Sequence, residues 1–447
     1  MRVSSFFLPL FATSIVGQLY ASNATTKNHA QRPNIVFILT DDQDVHLHSL
    51  DYLPLVKKHL RDQGTSFTNH YCTVNVTDVG PPYGGYPKFI SQGLNDNWLP
   101  VWLQSHGYNT YYTGKLFNSH NITNYNSPFV NGFTSSDFLL DPYTYYYKTP
   151  AFQHNKDPPV VSNGSYTTDL TAEKTFALLE EAAESDKPFF LVSAPIAPHA
   201  NGRLPFSAPV PADRHKDLFK DLKLPRTNNF NPDVPSGASW VKRLDKQNES
   251  VVEYNDEFYR KRLRSLQAVD ELVDGLFERL ERLNLLDNTY IIYSSDNGFH
   301  IGQHRLPPGK SCAYEEDINV PLIIRGPGVS PNSTTNIVTT HTDLAPTILK
   351  MIGAPTRPDF DGSPIPIHTD ELTSSKRRQA QEHVNVEYWG LGIGEGTFSG
   401  DKVPNNTYKS VRVIGADGAY SLSYTVWCEG DHELYDLLAD PAGTGED

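Results

Sequence analysis

Two apolar segments far apart in the chain both end in acids, and this repetition constrains the fold more than any other feature. Ile35-Val36-Phe37-Ile38-Leu39-Thr40 runs into Asp41-Asp42, and Tyr290-Ile291-Ile292-Tyr293-Ser294-Ser295 runs into Asp296-Asn297-Gly298. Each is short, β-branched and aromatic, as a buried strand is. A parallel α/β sheet binds its ligands at the carboxyl ends of its strands, which is where both segments place their acids. Three carboxylates and an amide meeting there repel unless a cation sits among them. A site built of oxygens favours a hard ion, Ca2+ or Mg2+. Taken singly, Asp-Asp after a strand is equally a helix cap, and Asn-Gly equally a hairpin turn. The pairing carries the reading.

The 447 residues have a formal net charge of -14, which argues against nucleic acid or an anionic membrane surface as main partner. Arg2, the apolar run Phe6 to Val16 and the small residues Ala21 and Ser22 read as a secretory leader over 1–21. No other stretch is long and apolar enough to predict a transmembrane segment. Sequons at Asn23, Asn75, Asn121, Asn163, Asn248, Asn332 and Asn405 predict the surface of a secreted glycoprotein. Three cysteines, Cys72, Cys312 and Cys428, leave an odd thiol: free, bridged to another chain, or missing its partner.

Periodicity predicts helices over 49–64, 99–107, 168–185, 257–286 and 341–352, and strands over 65–71, 108–113, 188–193 and 320–325. In the first helix Leu50, Leu53, Val56 and Leu60 share a side, with Gly64 as its C′ stop. The helix over 257–286 repeats Leu263, Leu266, Val269, Val273, Leu276, Leu280 and Leu283 at threes and fours, and is expected to serve packing, not chemistry. Residues 118–160 are aromatic and rich in Pro, Asn and Tyr, predicted as loop with short strands. Residues 200–250 are a long polar excursion. Segments 408–414 and 419–426 read as an antiparallel hairpin. The expected organisation is an α/β domain over 33–355 and a small C-terminal antiparallel sheet subdomain over 356–447.

Three more residues fall near predicted strand ends. Lys115 follows 108–113, His199 follows 188–193, and Lys310 lies in Pro-Gly-Lys-Ser-Cys. Singly these read as solvated lysines and a loop histidine. With the metal set Asp41, Asp42, Asp296 and Asn297 they suit cleavage of a tetrahedral monoester. Metal and lysines neutralise the equatorial oxygens, and His or Lys protonates the leaving oxygen.

Several stretches together resemble the type I sulfatases, nearest in look to fungal arylsulfatases and the glucosamine-6-sulfatase group. They are Arg32 to Asp44, Gly114-Lys115, Ala197-Pro198-His199, Ser295 to His300, Gly309 to Glu315 and Leu434 to Leu437. The resemblance implies an alkaline-phosphatase-like fold, with a large mixed or parallel sheet sandwiched by helices. It also implies one Ca2+ on Asp41, Asp42, Asp296 and Asn297, sulfate held by Lys115 and Lys310, and His199 facing the leaving oxygen. The substrate it implies is a sulfate ester, small molecule or sulfated glycan. Two departures stand out. Phe117 occupies a position where many sulfatases have His, leaving Asn118 and His300 as candidates for its role. The family's Cys/Ser-x-Pro-x-Arg motif, whose first residue becomes the formylglycine nucleophile, is absent. On the order of 20 residues, a loop and a helix of ordinary length, are missing at the Val74/Asn75 join. As written, the chain is expected to be inactive. A formylglycine-generating enzyme is a partner only for a form that has the motif. Two alternatives are a secreted non-catalytic protein that binds sulfate or sulfated glycan, and a phosphodiesterase of the alkaline phosphatase superfamily. His341 and Asp343 are zinc-ligand types, but Asp343 at a helix start more simply favours the dipole.

Overall fold

Alternation along the central strands explains the layering. In Asn34–Thr40 (β1), Ile35 and Phe37 face one core while Val36 and Ile38 face the other. Tyr290 and Ile292 of Thr289–Ser295 (β8) join the first core, and Ile291 and Tyr293 the second. A sheet apolar on both faces needs helices on both. Thr167–Ala183 (α1) and Glu249–Arg282 (α2) cover one face, and Leu344–Met351 (α3) lies on the other. The structure is a computed structural model that describes residues 32–73, 81, 84–204, 206–373, 381–400, 403, 406–415 and 418–445. The leader, the Val74/Asn75 join and the sequons at Asn23, Asn75 and Asn405 lie outside the described residues.

The remaining strands of the large sheet are Thr65–Tyr71 (β2), Asn109–Lys115 (β3), Ser135–Leu139 (β4), Ala151–His154 (β5), Val160–Val161 (β6), Phe189–Ala194 (β7), Leu322–Arg325 (β9) and Ser333–Thr340 (β10). Their order is β10-β2-β9-β8-β1-β7-β3-β4-β5-β6. Neighbours from β8 to β4 run parallel, so their carboxyl ends share one edge. A second sheet holds His383–Tyr388 (β11), Tyr408–Ile414 (β12), Ser421–Trp427 (β13) and His432–Asp436 (β14), all antiparallel. It shares a core with the large sheet, in which Val384, Tyr408 and Trp427 pack with Tyr71, Cys72 and Val338. The predicted α/β class with an appended small sheet is the fold observed. The short strands expected within 118–160 are β4, β5 and the first residue of β6, and α2 starts at Glu249, capped by the Asn248 side chain accepting from Val251 N–H at 3.2 Å.

The helix predicted over 49–64 is instead three pieces: a 3-10 turn at Ser49–Tyr52, a short α turn at Pro54–Val56 and a π turn at Lys57–Arg61. Pro54 disfavours helical backbone at the residue before it, and Leu53 leaves the helix at φ -116°, ψ 79°. The orphaned amides of the restart are taken by Asp270 of α2, which accepts from Leu55 N–H at 3.0 Å and Val56 N–H at 2.7 Å. Gly64 serves close approach, not a left-handed stop: a Cβ there would lie 2.4 Å from the Ile324 carbonyl oxygen of β9.

Two outcomes follow from this segment. Gly64→Ala and Gly64→Asn should each destabilise by about 1–3 kcal/mol, because any Cβ overpacks against backbone; a left-handed cap would accept Asn nearly for free. Comparing the two thermal midpoints separates these roles. Burial pushes the Asp270 carboxyl up to about 6, with the Val56 and Leu55 amides opposing. A carboxyl raised above its unfolded value of 3.8 contributes best while protonated, and its contribution falls as pH rises through about 6. Asp270→Asn should therefore lose less stability than the parent between about pH 4 and pH 7, by on the order of 1–2 kcal/mol in urea denaturation.

Candidate active site

Register brings the acids together. Thr40 of β1 lies beside Ser295 of β8, so the two acidic ends leave the sheet at the same level. Asp42 N–H donates to Asp296 Oδ1 at 2.9 Å, and Gln43 N–H to Ser295 Oγ at 2.7 Å. Asp42 adopts φ 70°, a left-handed conformation that short polar Asp tolerates, and its Oδ1 accepts from Asn297 Nδ2 at 2.9 Å. Lys115 closes β3. Its Nζ lies 2.9 Å from Asp41 Oδ2 and 3.5 Å from Asp296 Oδ2. Gly114 before it, at φ 106°, has room for no side chain: a Cβ would lie 2.0 Å from the Ala194 carbonyl oxygen. His199, beyond β7, sits with Nε2 3.7 Å from Asp42 Oδ2. Its Nδ1 lies 2.7 Å from the Ala200 carbonyl oxygen, which assigns the proton to Nδ1. Tyr145 stacks on the ring with centroids 4.1 Å apart. Lys310, on the loop after β8, donates to Asp42 Oδ1.

Burial raises the proton affinity of Asp41, against the pull of Lys115 and with help from Asp296 and Asp42. Asp42 is desolvated too, yet Lys310, His199 and Lys115 hold it below the usual carboxylate range. Burial works against the charged lysines, but Asp41 raises Lys115 and Asp42 with Glu395 raises Lys310, so both stay ammonium. His199 is lowered by burial and Lys310, hence neutral. Glu395 is pushed up to about 7 by burial, with Lys310 opposing. Four carboxyl groups thus meet two ammonium groups, and Asp42 Oδ2 and Glu395 Oε2 are buried without a hydrogen bond. With all four ionised the site is two positive charges short, a deficit that one divalent cation among these oxygen donors would meet.

The seven residues predicted for metal, sulfate and leaving group therefore converge on one sheet edge. Phe117 does not join them; it packs on Phe89 with ring centroids 4.6 Å apart. Asn118 accepts from Tyr145 O–H at 2.8 Å, behind the ring stacked on His199. His300 pairs with Asp317 at 2.7 Å, Nδ1 to Oδ1. Asp343 accepts from Thr340 N–H at 2.8 Å in a capping box, a structural role. His341 is half-buried and lowered to about 4 by desolvation. Cys72 and Cys312 are buried thiols and Cys428 is exposed. Of the described sequons, Asn163, Asn248 and Asn332 are exposed and Asn121 is half-buried.

Two contributors escaped sequence reasoning. Glu395 arrives on the β11–β12 connection, in a stretch with no periodicity. Arg262 lies on α2, the helix assigned to packing alone. It is 1% exposed, stacks on Phe299 at 3.9 Å, and donates to the Asp42 carbonyl oxygen and, at 3.1 Å, to Asp44 Oδ1. Its signal was present: an arginine four residues before Leu266 on the buried face of that helix.

Comparison with known proteins agrees with this geometry. The sulfatase family model matches residues 33–354. The chain is 37% identical over 460 residues to an arylsulfatase of Volvox carteri, covering 92% of this chain and 71% of that protein. It is 32% identical over 464 residues to N-acetylglucosamine-6-sulfatase of Homo sapiens, covering 92% of this chain and 80% of that protein. A protein solved in complex with its substrate D-glucosamine-2-N,6-O-disulfate shares the fold, with a TM-score of 0.73 over 93% of both chains at 22% identity. The family match spans most of the chain and takes in the acidic cluster and both lysines, so the chain belongs to the sulfatase family of sulfuric ester hydrolases.

Proposed function

We propose that this polypeptide keeps the family's sulfate-ester site, loaded with one Ca2+, and binds sulfate esters without turning them over. The observation that carries this is the convergence of Lys115, Lys310 and His199 on the acidic cluster, in a chain without a Cys/Ser-x-Pro-x-Arg motif. Asp41, Asp42, Asp296 and Asn297 would hold the ion, which supplies Lewis-acid polarisation of a sulfate oxygen. Lys115 and Lys310 bring fixed positive charge to the other oxygens in a largely buried site. His199 faces the ester oxygen with an Nε2 that accepts rather than donates. Substrates of this class are small sulfate esters or sulfated glycans. The leader-like N-terminus and the exposed sequons support a secreted protein.

The missing segment has independent support. The alignment to the Volvox arylsulfatase runs over 460 residues while matching 92% of a 447-residue chain, so that relative carries residues with no counterpart here. His120 is fully buried against Tyr86, whose helix follows the join, and neither ring nitrogen has a hydrogen-bond partner among the described residues. An unpaired buried imidazole costs about 1–3 kcal/mol, as expected where a polar neighbour has been removed.

Two experiments test the proposal. Purified protein should contain about one hard divalent ion per chain; Ca2+ at about 100 times its Kd should add about 2.7 kcal/mol of stability, and Asp296→Ala should abolish both effects. Stoichiometric zinc in elemental analysis, without Ca2+ or Mg2+, would instead favour the phosphodiesterase reading. Second, release of a chromogenic phenol from its sulfate ester should be lower by on the order of a million-fold than in a form carrying the restored segment and co-expressed with a formylglycine-generating enzyme. Ordinary turnover by the 447-residue form would refute the nucleophile argument, and a restored form cleaving only phosphate esters would refute the sulfate assignment.

A further inference from the structure

Glu395 is a buried carboxylate whose role in the site is unassigned. The loop that delivers it is tied down on both sides. Glu395 N–H donates to the Pro308 carbonyl oxygen at 2.6 Å, and Gly394 bridges to Gly309. Beyond it, Thr397 N–H donates to Tyr254 Oη at 2.9 Å and Phe398 meets the Tyr254 ring edge-on at 5.1 Å. The carboxylate is therefore held in place, its side chain 3% exposed. Oε1 lies 3.6 Å from Lys310 Nζ, an ion-pair distance rather than a good hydrogen bond, and 3.8 Å from His199 Nε2, which carries no proton to donate. Oε2 has no hydrogen-bond partner.

Charge decides what would satisfy it. With a sulfate monoester bound, Asp41, Asp42, Asp296 and the ester are balanced by Lys115, Lys310 and one divalent ion. An ionised Glu395 is then one negative charge in excess. That excess sits beside His199, on the side of the leaving alcohol. Burying such a charge without a donor is costly, and a hydrogen bond to a charged partner contributes more than a neutral one. Building on the sulfate-site reading above, we propose that Glu395 selects sulfate esters whose alcohol carries a protonated amine close to the ester. The ammonium supplies both the missing donor and the missing charge. Tyr145 and Phe206, with ring centroids 4.1 Å and 5.5 Å from that of His199, make this side of the site aromatic. An N-acylated or purely aromatic alcohol leaves Glu395 unanswered.

The test is isothermal titration of the metal-loaded 447-residue protein with inorganic sulfate, glucosamine 6-sulfate and N-acetylglucosamine 6-sulfate, below the pKa of the free amine. The parent should bind the amine ester about tenfold more tightly than the acetylated one, as a charge-assisted hydrogen bond implies. Glu395→Gln, nearly isosteric, should erase that preference while binding inorganic sulfate at least as well, which also shows the variant is folded. Equal binding of the two esters by the parent, or an unchanged preference in Glu395→Gln, overturns the proposal. Failure of the parent to bind any of the three, inorganic sulfate included, refutes the sulfate-site reading itself and this selection with it.

Discussion

The parallel pairing of β1 with β8, in register at Thr40 and Ser295, is the contact on which the site depends. It sets Asp41 and Asp42 beside Asp296 before any ligand is present. Two unit charges 4 Å apart repel by about 4 kcal/mol at the effective dielectric of a protein surface, more than a typical hydrogen bond contributes. Strand ends that merely hung in solvent would splay apart. Here Ile35 and Ile292 on one face and Val36 and Ile291 on the other lock the two strands in dry cores. Hydrophobic burial behind the site thus holds together charges that would otherwise separate, and the lysines and a cation become necessary components.

Each partner reaches the acids by its own route, and the routes explain the chemistry. Lys115 and His199 come from β3 and β7, the next parallel strands along the same edge, so their placement follows from the order β8-β1-β7-β3. Lys310 and Glu395 come from loops, and each loop needs something to fix it. Cys312 N–H donates to Asp317 Oδ2 at 2.7 Å just after Lys310, and the tie to Pro308 fixes Glu395. Arg262 anchors the acidic turn from beneath through the Asp42 carbonyl oxygen and the Asp44 carboxylate. A buried Arg between a carbonyl and a carboxylate is strongly destabilising to remove, because the carboxylate is left unpaired.

What was legible in the sequence is what short-range physics controls. Short continuous apolar runs marked β1, β7 and β8, and strand-end acids marked the acidic cluster, because both signals are local. The split of the 49–64 segment was also local, written in Pro54, but the apolar spacing of Leu50, Leu53, Val56 and Leu60 outweighed it. Gly64 misled because a glycine after an apolar run is usually a cap. Its actual constraint is the Ile324 carbonyl oxygen, far away in sequence. Glu395 was illegible for the same reason. Nothing in Gly394-Glu395-Gly396 points to Lys310 or His199, and the contact exists only because β11 and β12 dock on the main sheet.

On the proposed reading, the position of the break explains how the fold can outlive its chemistry. The join follows β2, whose residues Thr65 to Tyr71 remain paired with Ser333 to Thr340 of β10, and Thr65 and Ser66 with Ile324 and Ile323 of β9. The β2–β10 ladder runs on past the irregularity between Thr335 and Val338 to Tyr71 and Thr340, so β2 keeps its partner up to the join. Every strand that carries a metal or sulfate residue lies on the other side of β9 from β2. Electrostatic stabilisation and covalent attack are thus carried by separate parts of the sheet, one built on its centre and one on a strand near its edge. Removing the second part leaves the first standing, with its acids, lysines and imidazole still converged. That is the architecture the proposed function requires: a site that binds the charge of a sulfate ester while lacking the atom that would attack it.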